Sequence, residues 1–216
     1  MIGRRQFLTG GSVLAAAAPI GGMGAAPPSD LHFEVFRNDS RIGHHAINFH
    51  TEGDTMVANV AVEIIVRLGP IPVFRYTHSV REGWRGDRFL SLESETYDDG
   101  TPYHVEASNA GDHVIVSTRT VPRVELAAET IPLTHWNHLC MRRPLFNPQD
   151  GVRVESTVAP RGEEMVALAD GREVRAMHYS LVGKIALEDW YDVAGKWTAL
   201  SLIGRDGSRI EYRLTG

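Results

Sequence analysis

Apolar and polar residues alternate along this chain almost without interruption from residue 31 onwards. A period of two places successive side chains on opposite faces of an extended strand, whereas a helix needs a period near 3.6. The clearest stretch covers residues 56–68, where every second side chain is apolar and Glu63 and Arg67 lie on the other face. No sustained helical period competes with this pattern, so the sequence predicts an all-β protein.

Turn signals divide the alternating region into short strands. Asp98-Asp99-Gly100, Ala110-Gly111-Asp112 and Asp170-Gly171 are typical of hairpin turns, because Asn, Asp and Gly tolerate the backbone angles that such turns require. Short strands that follow one another through such turns indicate an antiparallel meander. The predicted strands cover residues 31–36, 42–50, 56–68, 73–84, 88–96, 103–108, 113–119, 121–129, 152–158, 164–168, 173–181, 185–191, 197–202 and 208–214.

A meander of about 10–12 strands does not stay flat and open, because a large open sheet curls, splits or closes. We therefore expect a strongly curved antiparallel sheet, a half-barrel or a barrel, with aliphatic and aromatic side chains inside. No repeat or linker divides residues 30–216, which are predicted to form one β domain. The irregular stretch near residues 130–148 is expected to form a short helical or irregular plug that crosses the interior.

The first 26 residues have the pattern of a bacterial export signal rather than of a folded element. Arg4-Arg5 is followed by Phe7-Leu8 and then by a short run of small, weakly apolar residues that includes Ala15 to Ala18. This pattern is typical of a twin-arginine signal peptide, and the run is too short to span a bilayer. We therefore predict that the twin-arginine translocase exports the protein to the periplasm or the medium.

Charge and cysteine content limit the classes of partner. Removing Arg4 and Arg5 with the leader leaves 20 basic against 27 acidic residues, a formal charge of −7. A mildly acidic protein has no electrostatic reason to bind nucleic acid or an anionic membrane. Cys140 is the only cysteine, so no internal disulfide forms.

Several ordered motifs resemble a family of exported bacterial β proteins of unknown function. They are Phe33-Glu34-Val35-Phe36, Ile71-Pro72-Val73-Phe74-Arg75-Tyr76, Trp136-Asn137 and Trp190-Tyr191-Asp192 with Gly195-Lys196-Trp197. The closing strands are more distantly similar to the half-barrels of periplasmic lipoprotein carriers. The resemblance implies a curved antiparallel sheet with a concave apolar face that a helix or loop covers, and it assigns no catalytic residue.

The segment Thr134–Cys140 holds two histidines, a tryptophan and the cysteine, so it is a candidate enzyme site. A catalytic thiol needs a base within hydrogen-bond reach and a third group that orients the base. Helical spacing separates His138 from Cys140 and places Cys140 with Trp136. We favour a structural role in which Thr134 caps a helical turn, and we keep a hydrolase or metal-dependent enzyme as an alternative.

Other clusters of polar residues are explained more simply as solvent-facing positions. His32, His44, His45 and His50 supply nitrogen ligands, but His44 and His50 are six positions apart on one strand, roughly 20 Å, too far to share an ion. Glu93 and Glu95 have a spacing that glycosidases use, yet exposed strand carboxylates are commoner. Arg75, Arg81 and Arg85 are expected to pair with Glu93 and Glu95 rather than hold an anionic head group. We predict no catalytic residue, metal or cofactor.

The sequence favours a non-enzymatic exported protein that binds an apolar or amphipathic small molecule or lipid in the concave face of its sheet. This function predicts a deep cavity lined by residues such as Met56 and Val60, and an interior without a pocket of a few hundred cubic ångströms would argue against it. The alternative is an accessory protein that binds another exported protein. The residues predicted to contact the ligand are Val62, Ile64, Phe74, Tyr76, Trp84, Trp136, Asn137 and Arg75.

Overall fold

Residues 27–215 are described by the computed structural model of the chain. The predicted signal peptide lies outside the described residues, so export stays a prediction. The described residues contain one 3₁₀ helix, His138–Met141, and the following strands: β1 Leu31–Arg37, β2 Ser40–Glu52, β3 Thr55–Leu68, β4 Ile71–Arg85, β5 Arg88–Asp98, β6 Thr101–Asn109, β7 His113–Thr118, β8 Val124–Ala127, β9 Ile131–Pro132, β10 Leu145–Phe146, β11 Ser156–Ala167, β12 Glu173–Gly183, β13 Leu187–Asp192, β14 Trp197–Ile203 and β15 Arg209–Leu214.

Thirteen of these strands form one antiparallel sheet in the order β11-β12-β13-β14-β15-β1-β2-β3-β4-β5-β6-β7-β8. Strand β1 pairs with β2 on one side and with β15 on the other, where Phe33 lies opposite Leu214. The pairing of β1 with β15 therefore joins two meanders into one sheet. The end strands β8 and β11 do not pair with each other, so the sheet curves without closing. The predicted all-β, antiparallel and strongly curved architecture is confirmed.

Tight turns of the predicted kind connect the strands of the first meander. The loop between β1 and β2 consists of Asn38 and Asp39, which have φ angles of 46° and 67°. Between β5 and β6, Asp99 and Gly100 have φ angles of 45° and 103°. Two central residues with positive φ match the right-handed twist of the flanking strands, which explains why Asn, Asp and Gly occupy these positions.

One strand assignment was wrong. Residues 152–158 and 164–168 were predicted as separate strands, but β11 runs from Ser156 to Ala167 with a shift of pairing between Pro160 and Gly162. Pro160 has no N–H to donate, and Gly162 has a φ angle of +106°. A bulge absorbs both residues because β11 is an edge strand, where the ladder has a partner on one side only.

Side chains from both meanders meet on the concave side of the sheet to form the core. The rings of Phe33 and Trp197 lie 4.1 Å apart between centroids, and those of Phe89 and Phe146 lie 5.9 Å apart. Trp84 and Trp197 are completely buried. Burying aromatic side chains of this size is among the largest favourable contributions that a fold of this kind has.

The segment from residue 131 to residue 149 crosses this interior, as the sequence predicted. Its strands β9 and β10 pair in parallel, with Leu145 opposite Ile131. The Ser94 hydroxyl donates to the carbonyl of Pro148 at 2.6 Å, which attaches the segment to the inner face of β5. The segment is therefore an interior plug, and we use that name for residues 131–149.

The convex face carries charged side chains, and their pairing differs from the prediction. Arg81 and Arg85 bind Glu52 and Asp54 at 2.6 and 2.9 Å, rather than Glu93 and Glu95. The long side chains reach back to the β2–β3 turn, although Arg81 lies opposite Glu93 in the ladder. Pairs as exposed as these stabilise a fold by less than about 1 kcal/mol each. None of the helices in the described part of the chain is long and apolar enough to cross a membrane.

Candidate functional site

A cavity of about 150 Å³ lies between the concave face of the sheet and the interior plug. The sheet contributes apolar walls that include Ile47, Val60 and Val62, and the plug contributes Thr134, His135 and Asn147-Pro148-Gln149. Three histidines and a glutamate interrupt these walls, namely His45, His78, His135 and Glu82. This volume is below the few hundred cubic ångströms that the sequence interpretation required, because the plug fills much of the concave space, so the structure argues against the lipid and the larger amphipathic ligands expected from the sequence.

His45 is the most unusual residue of the cavity. Its ring lies among the rings of Phe33, Trp197 and Tyr212, with centroids 5.2–5.8 Å away. Both ring nitrogens are buried, and neither has a hydrogen-bond partner among the described residues. Burial lowers the pKa of His45 well below its ordinary value, and the neighbouring His135 and His78 lower it further. His45 is therefore a neutral imidazole with unused hydrogen-bonding capacity.

His78 and Glu82 belong to the same inward face of β4. Nδ1 of His78 lies 2.7 Å from the Thr96 hydroxyl, and burial lowers the pKa of His78 to about 4. Burial raises the pKa of Glu82 to about 7, although hydrogen bonds from neighbouring side chains favour its ionised form and lower the pKa. The Trp84 N–H donates to Oε2 of Glu82 at 2.9 Å, whereas the nearby Trp136 N–H lies outside good hydrogen-bond geometry. The Glu82 carboxyl thus changes protonation near neutral pH.

A carboxylate and an indole hold His135 in place. Nδ1 of His135 lies 2.9 Å from Oδ2 of Asp189, and the Trp197 N–H donates to Oδ1 of the same carboxylate at 3.0 Å. The His135 ring also stacks on Trp197, at 5.1 Å between centroids and 23° between planes. Asp189 is completely buried, so these contacts compensate the loss of its hydration. The plug is fixed to the sheet at this point.

The predicted ligand contacts are distributed over three places. Val62 and Tyr76 line the cavity, and the Tyr76 hydroxyl donates to Oε1 of Gln149 at 3.3 Å. Ile64 is buried in the core next to the cavity, and Phe74 packs against the core from the following strand. Arg75 is exposed near the end of the β3–β4 hairpin, away from the cavity.

The other three predicted residues belong to the plug and to the sheet below it. Trp136 packs edge-on against Trp84 and Phe49, at 5.5 and 5.1 Å between ring centroids. Asn137 is the N-cap of the 3₁₀ helix, since its side-chain oxygen accepts the Leu139 N–H at 3.1 Å. The prediction that Thr134 would be the cap was therefore wrong. The prediction that Trp136 lies against the apolar face of the sheet is confirmed.

Cys140 is a core residue. It is completely buried, and its sulfur lies 3.5 Å from the Tyr191 hydroxyl and forms no hydrogen bond with a histidine of the described residues. Burial raises the pKa of the thiol well above its ordinary value. His138 packs against the rings of Tyr179 and Tyr191 instead. A catalytic cysteine needs a lowered pKa and a partly open environment, and Cys140 has neither.

We expect Cys140 in the native protein to resist an aromatic disulfide reagent at pH 8, since the thiolate is both disfavoured and shielded. The same reagent should modify one thiol per chain as soon as the protein is unfolded in guanidinium chloride. The absorbance of the released thiolate measures both rates. Complete modification of the native protein at the rate of the unfolded protein would contradict this placement.

No group of three or more His, Cys, Asp or Glu side chains converges to hold a metal ion within residues 27–215. His44 and His45 point to opposite faces of β2, as the alternation requires, with His44 exposed and His45 buried. The expectation that this histidine cluster faces solvent is therefore wrong for His45.

The sequence interpretation missed His45, His78 and Glu82 as a group, although the signal is present. His45 shares its face of β2 with Ile47 and Phe49, and His78 and Glu82 interrupt the apolar face of β4. A polar residue in phase with an apolar face is a candidate for burial. The sequence does not show how the strands pair. In the structure β3 lies between β2 and β4, and Val62 of β3 lies opposite both His45 and His78.

Comparison with known proteins supports the fold and gives no activity. The crystal structure of a β-barrel-like protein of domain of unknown function DUF1849, from Brucella abortus, is similar to this chain with a TM-score of 0.62. The similarity covers 88% of this chain and 96% of the other, at 12% sequence identity, so it concerns the fold alone. No curated protein matches the sequence. The sequence profile of the domain of unknown function DUF6134 matches residues 33–215, and the chain belongs to that family.

Proposed function

We propose that this protein is an exported, non-enzymatic binding protein that holds a small amphipathic molecule in the cavity between its curved sheet and its interior plug. The observation that carries the proposal is the combination of apolar walls with a buried histidine, His45, whose nitrogens have no hydrogen-bond partner within residues 27–215. Binding sites for small molecules are typically apolar concavities with a few well-placed polar groups. Export rests on the twin-arginine pattern of Arg4-Arg5 and the residues after it.

The size of the cavity limits the ligand. Its volume of about 150 Å³ is roughly half of the 300 Å³ at which pockets for drug-sized ligands begin. An apolar protein cavity of about this volume is known to hold a molecule the size of benzene. We therefore propose a compound with a single ring or a short chain, and we set aside a lipid with full acyl chains.

The residues around the cavity are better suited to binding than to covalent catalysis. Asp189 orients His135 as a carboxylate orients a catalytic base, but Cys140 contacts Tyr191 instead of this histidine. The His135–Asp189 contact also has a structural role, because it fixes the plug to β13. This supports a binding function over a thiol-dependent hydrolase.

Native mass spectrometry of the protein purified from the periplasm of its own host tests the proposal. We expect the wild-type protein to carry a small organic adduct, and V62F to lose it because the larger ring fills the cavity. The matched control is A61F, which places the same ring on the exposed face of the same strand. An adduct that persists in V62F, or no adduct in the wild-type protein, would contradict the proposal.

One observation favours the alternative, an accessory protein that binds another exported protein. Leu68, Ile71 and Val73 at the β3–β4 hairpin are 73%, 61% and 52% exposed. The hairpin extends past both neighbours, since the pairing with β2 ends at Ile64 and that with β5 ends at Tyr76. Exposed apolar clusters of this kind mark contact surfaces. The same spectra would then show a protein partner that is lost from the double variant L68S/I71S.

A further inference from the structure

A groove of about 580 Å³ lies at the end of the sheet where β4 turns into β5 and β6 turns into β7. It is open to solvent, and its volume is within the range of binding sites for small molecules. Its walls come from the two turns, from residues 128–131 and from Arg143 of the plug. Among the described residues, none lines both this groove and the cavity beside His45.

The burial of Arg143 distinguishes the groove from an ordinary charged surface. Three arginines of residues 27–215 are half-buried, namely Arg37, Arg143 and Arg213. Arg37 binds Asp206, and Arg213 binds Glu211. No carboxylate in the described part of the chain lies within 4.0 Å of the Arg143 nitrogens. Withdrawing a guanidinium group from water without a counter-ion is unfavourable, so Arg143 has an unmet need for an anion.

The Arg143 guanidinium group is held at the wall of the groove. Its Nη1 donates to the carbonyl of Asp87 at 2.9 Å, and the other N–H groups make no hydrogen bond within residues 27–215. Asp87 precedes Arg88, so the side chain of Arg88 begins at the backbone that Arg143 contacts. Nη2 of Arg88 lies 3.5 Å from Oδ1 of Asn109, a long contact with a neutral group that does not balance its charge. Two guanidinium groups without a carboxylate partner in the described chain therefore line one groove.

Asn109 fixes the opposite wall. Its Oδ1 accepts the Gly111 N–H at 2.9 Å, and its Nδ2 donates to the carbonyl of Ala128 at 3.3 Å. The turn after β6 and the chain before β9 are thereby joined. A wall that is held in place before binding lowers the cost of ordering it around a ligand.

The acidic residues of the lining limit what else the ligand carries. Asp87 and Glu129 are exposed in the groove, and neither forms an ion pair with an arginine of the described chain. Arg85 also lines the groove, but Asp54 binds it at 2.9 Å and balances its charge. A ligand with several negative groups would meet the two free carboxylates. A single carboxylate or phosphate group instead matches the planar N–H donors of guanidinium groups.

We propose that the groove binds a small molecule through one carboxylate or phosphate group, which pairs with Arg88 and Arg143. The rest of this ligand is neutral or positively charged, because it faces Asp87 and Glu129. The groove is separate from the cavity, so the inference goes beyond the proposed function and does not depend on it.

NMR of the arginine side-chain N–H groups tests the inference, with inorganic phosphate, acetate and methylammonium as probes at an ionic strength held constant with chloride. We expect phosphate or acetate to shift the Arg88 and Arg143 signals saturably. R143Q should weaken this binding, read from the Arg88 signal, by at least about tenfold, because a hydrogen bond between charged groups is lost. R142Q is the matched control, since Arg142 is exposed and does not line the groove, and it should bind as the wild-type protein does.

E129Q should change the affinity in the opposite direction and strengthen anion binding, because it removes a repulsive charge. A response to phosphate alone assigns the site to a phosphate group, and a response to acetate alone assigns it to a carboxylate. The inference is overturned if neither anion gives a saturable shift, if chloride acts as strongly, or if methylammonium binds more tightly. Should R143Q not fold, R88Q removes the other guanidinium group and leaves the contact with the Asp87 carbonyl intact, so the Arg143 signal gives the same readout.

None of these results bears on the adduct expected in the cavity, because the groove and the cavity share no lining residue in the described chain.

Discussion

Replacing Trp197 by alanine should lower the free energy of unfolding by about 4 kcal/mol, within the range measured for truncating large buried aromatic side chains. Trp197 is completely buried and packs on Phe33, His45 and His135. Its N–H also donates to Asp189. The substitution therefore leaves a large cavity and removes one of the two hydrogen-bond partners of a buried carboxylate.

Urea unfolding measures this loss when it is followed by far-ultraviolet circular dichroism, because the substitution itself changes tryptophan fluorescence. A fall in Tm of roughly 10 °C should accompany the loss. W197F separates the two effects, because the phenyl ring keeps most of the packing and loses only the donor. Its loss should be roughly 1–2 kcal/mol, that of an under-satisfied buried group. A loss below about 1 kcal/mol for W197A would mean that the two meanders do not pack together around this residue.

The second large effect is a change in how stability depends on pH when Glu82 is replaced by glutamine. The pKa of Glu82 is raised from 4.5 to about 7 in the folded protein. Between these values the folded state binds more protons than the unfolded state, so Glu82 lowers stability as pH rises through this window. The difference amounts to about 3 kcal/mol, at 1.36 kcal/mol for each pKa unit.

His78 acts in the opposite direction over almost the same window. Its pKa is lowered from 6.5 to about 4, so the unfolded state binds more protons and stability is lost as pH falls from 6.5 towards 4. The lowered pKa of His45 adds to this loss. In the wild-type protein the Glu82 effect offsets the His78 effect, so the loss of stability in acid that remains comes from His45 and from the other groups whose pKa is lowered, such as His138.

E82Q removes the offset, so its loss of stability between pH 8 and pH 4.5 should exceed that of the wild-type protein by about 3 kcal/mol. Urea titrations at the two pH values measure the difference, which is insensitive to any constant cost of the substitution. E93Q is the matched control, because Glu93 is exposed on the neighbouring strand and should leave the pH dependence unchanged. Equal pH dependence of E82Q and wild type would show that Glu82 is not buried in the folded protein.

The sequence predicted the fold well because alternation and turn chemistry are local properties. The positions of Asp99 and Gly100, for example, follow directly from the hairpin that they form. It failed at β11, where residues 159–163 lay between two predicted strands, although an edge strand tolerates both Pro160 and Gly162. Local signals do not show whether an irregular position lies at the edge or in the centre of a sheet.

The candidate site was less predictable, because it depends on contacts between residues far apart in sequence. Val62 and Tyr76 were expected to contact a ligand since they lie on apolar strand faces, and both line the cavity. The contact of His135 with Asp189 joins the plug to β13 and has no local signature. The volume of the cavity depends on how far the plug enters the sheet, which the alternation of residues does not determine.

A crystal structure of the protein purified from its own host tests the central claim most directly. The account predicts connected electron density, larger than a water molecule, in the cavity beside Val62 and Tyr76. A cavity that holds only ordered water, or one in which the side chains have closed together, would contradict it.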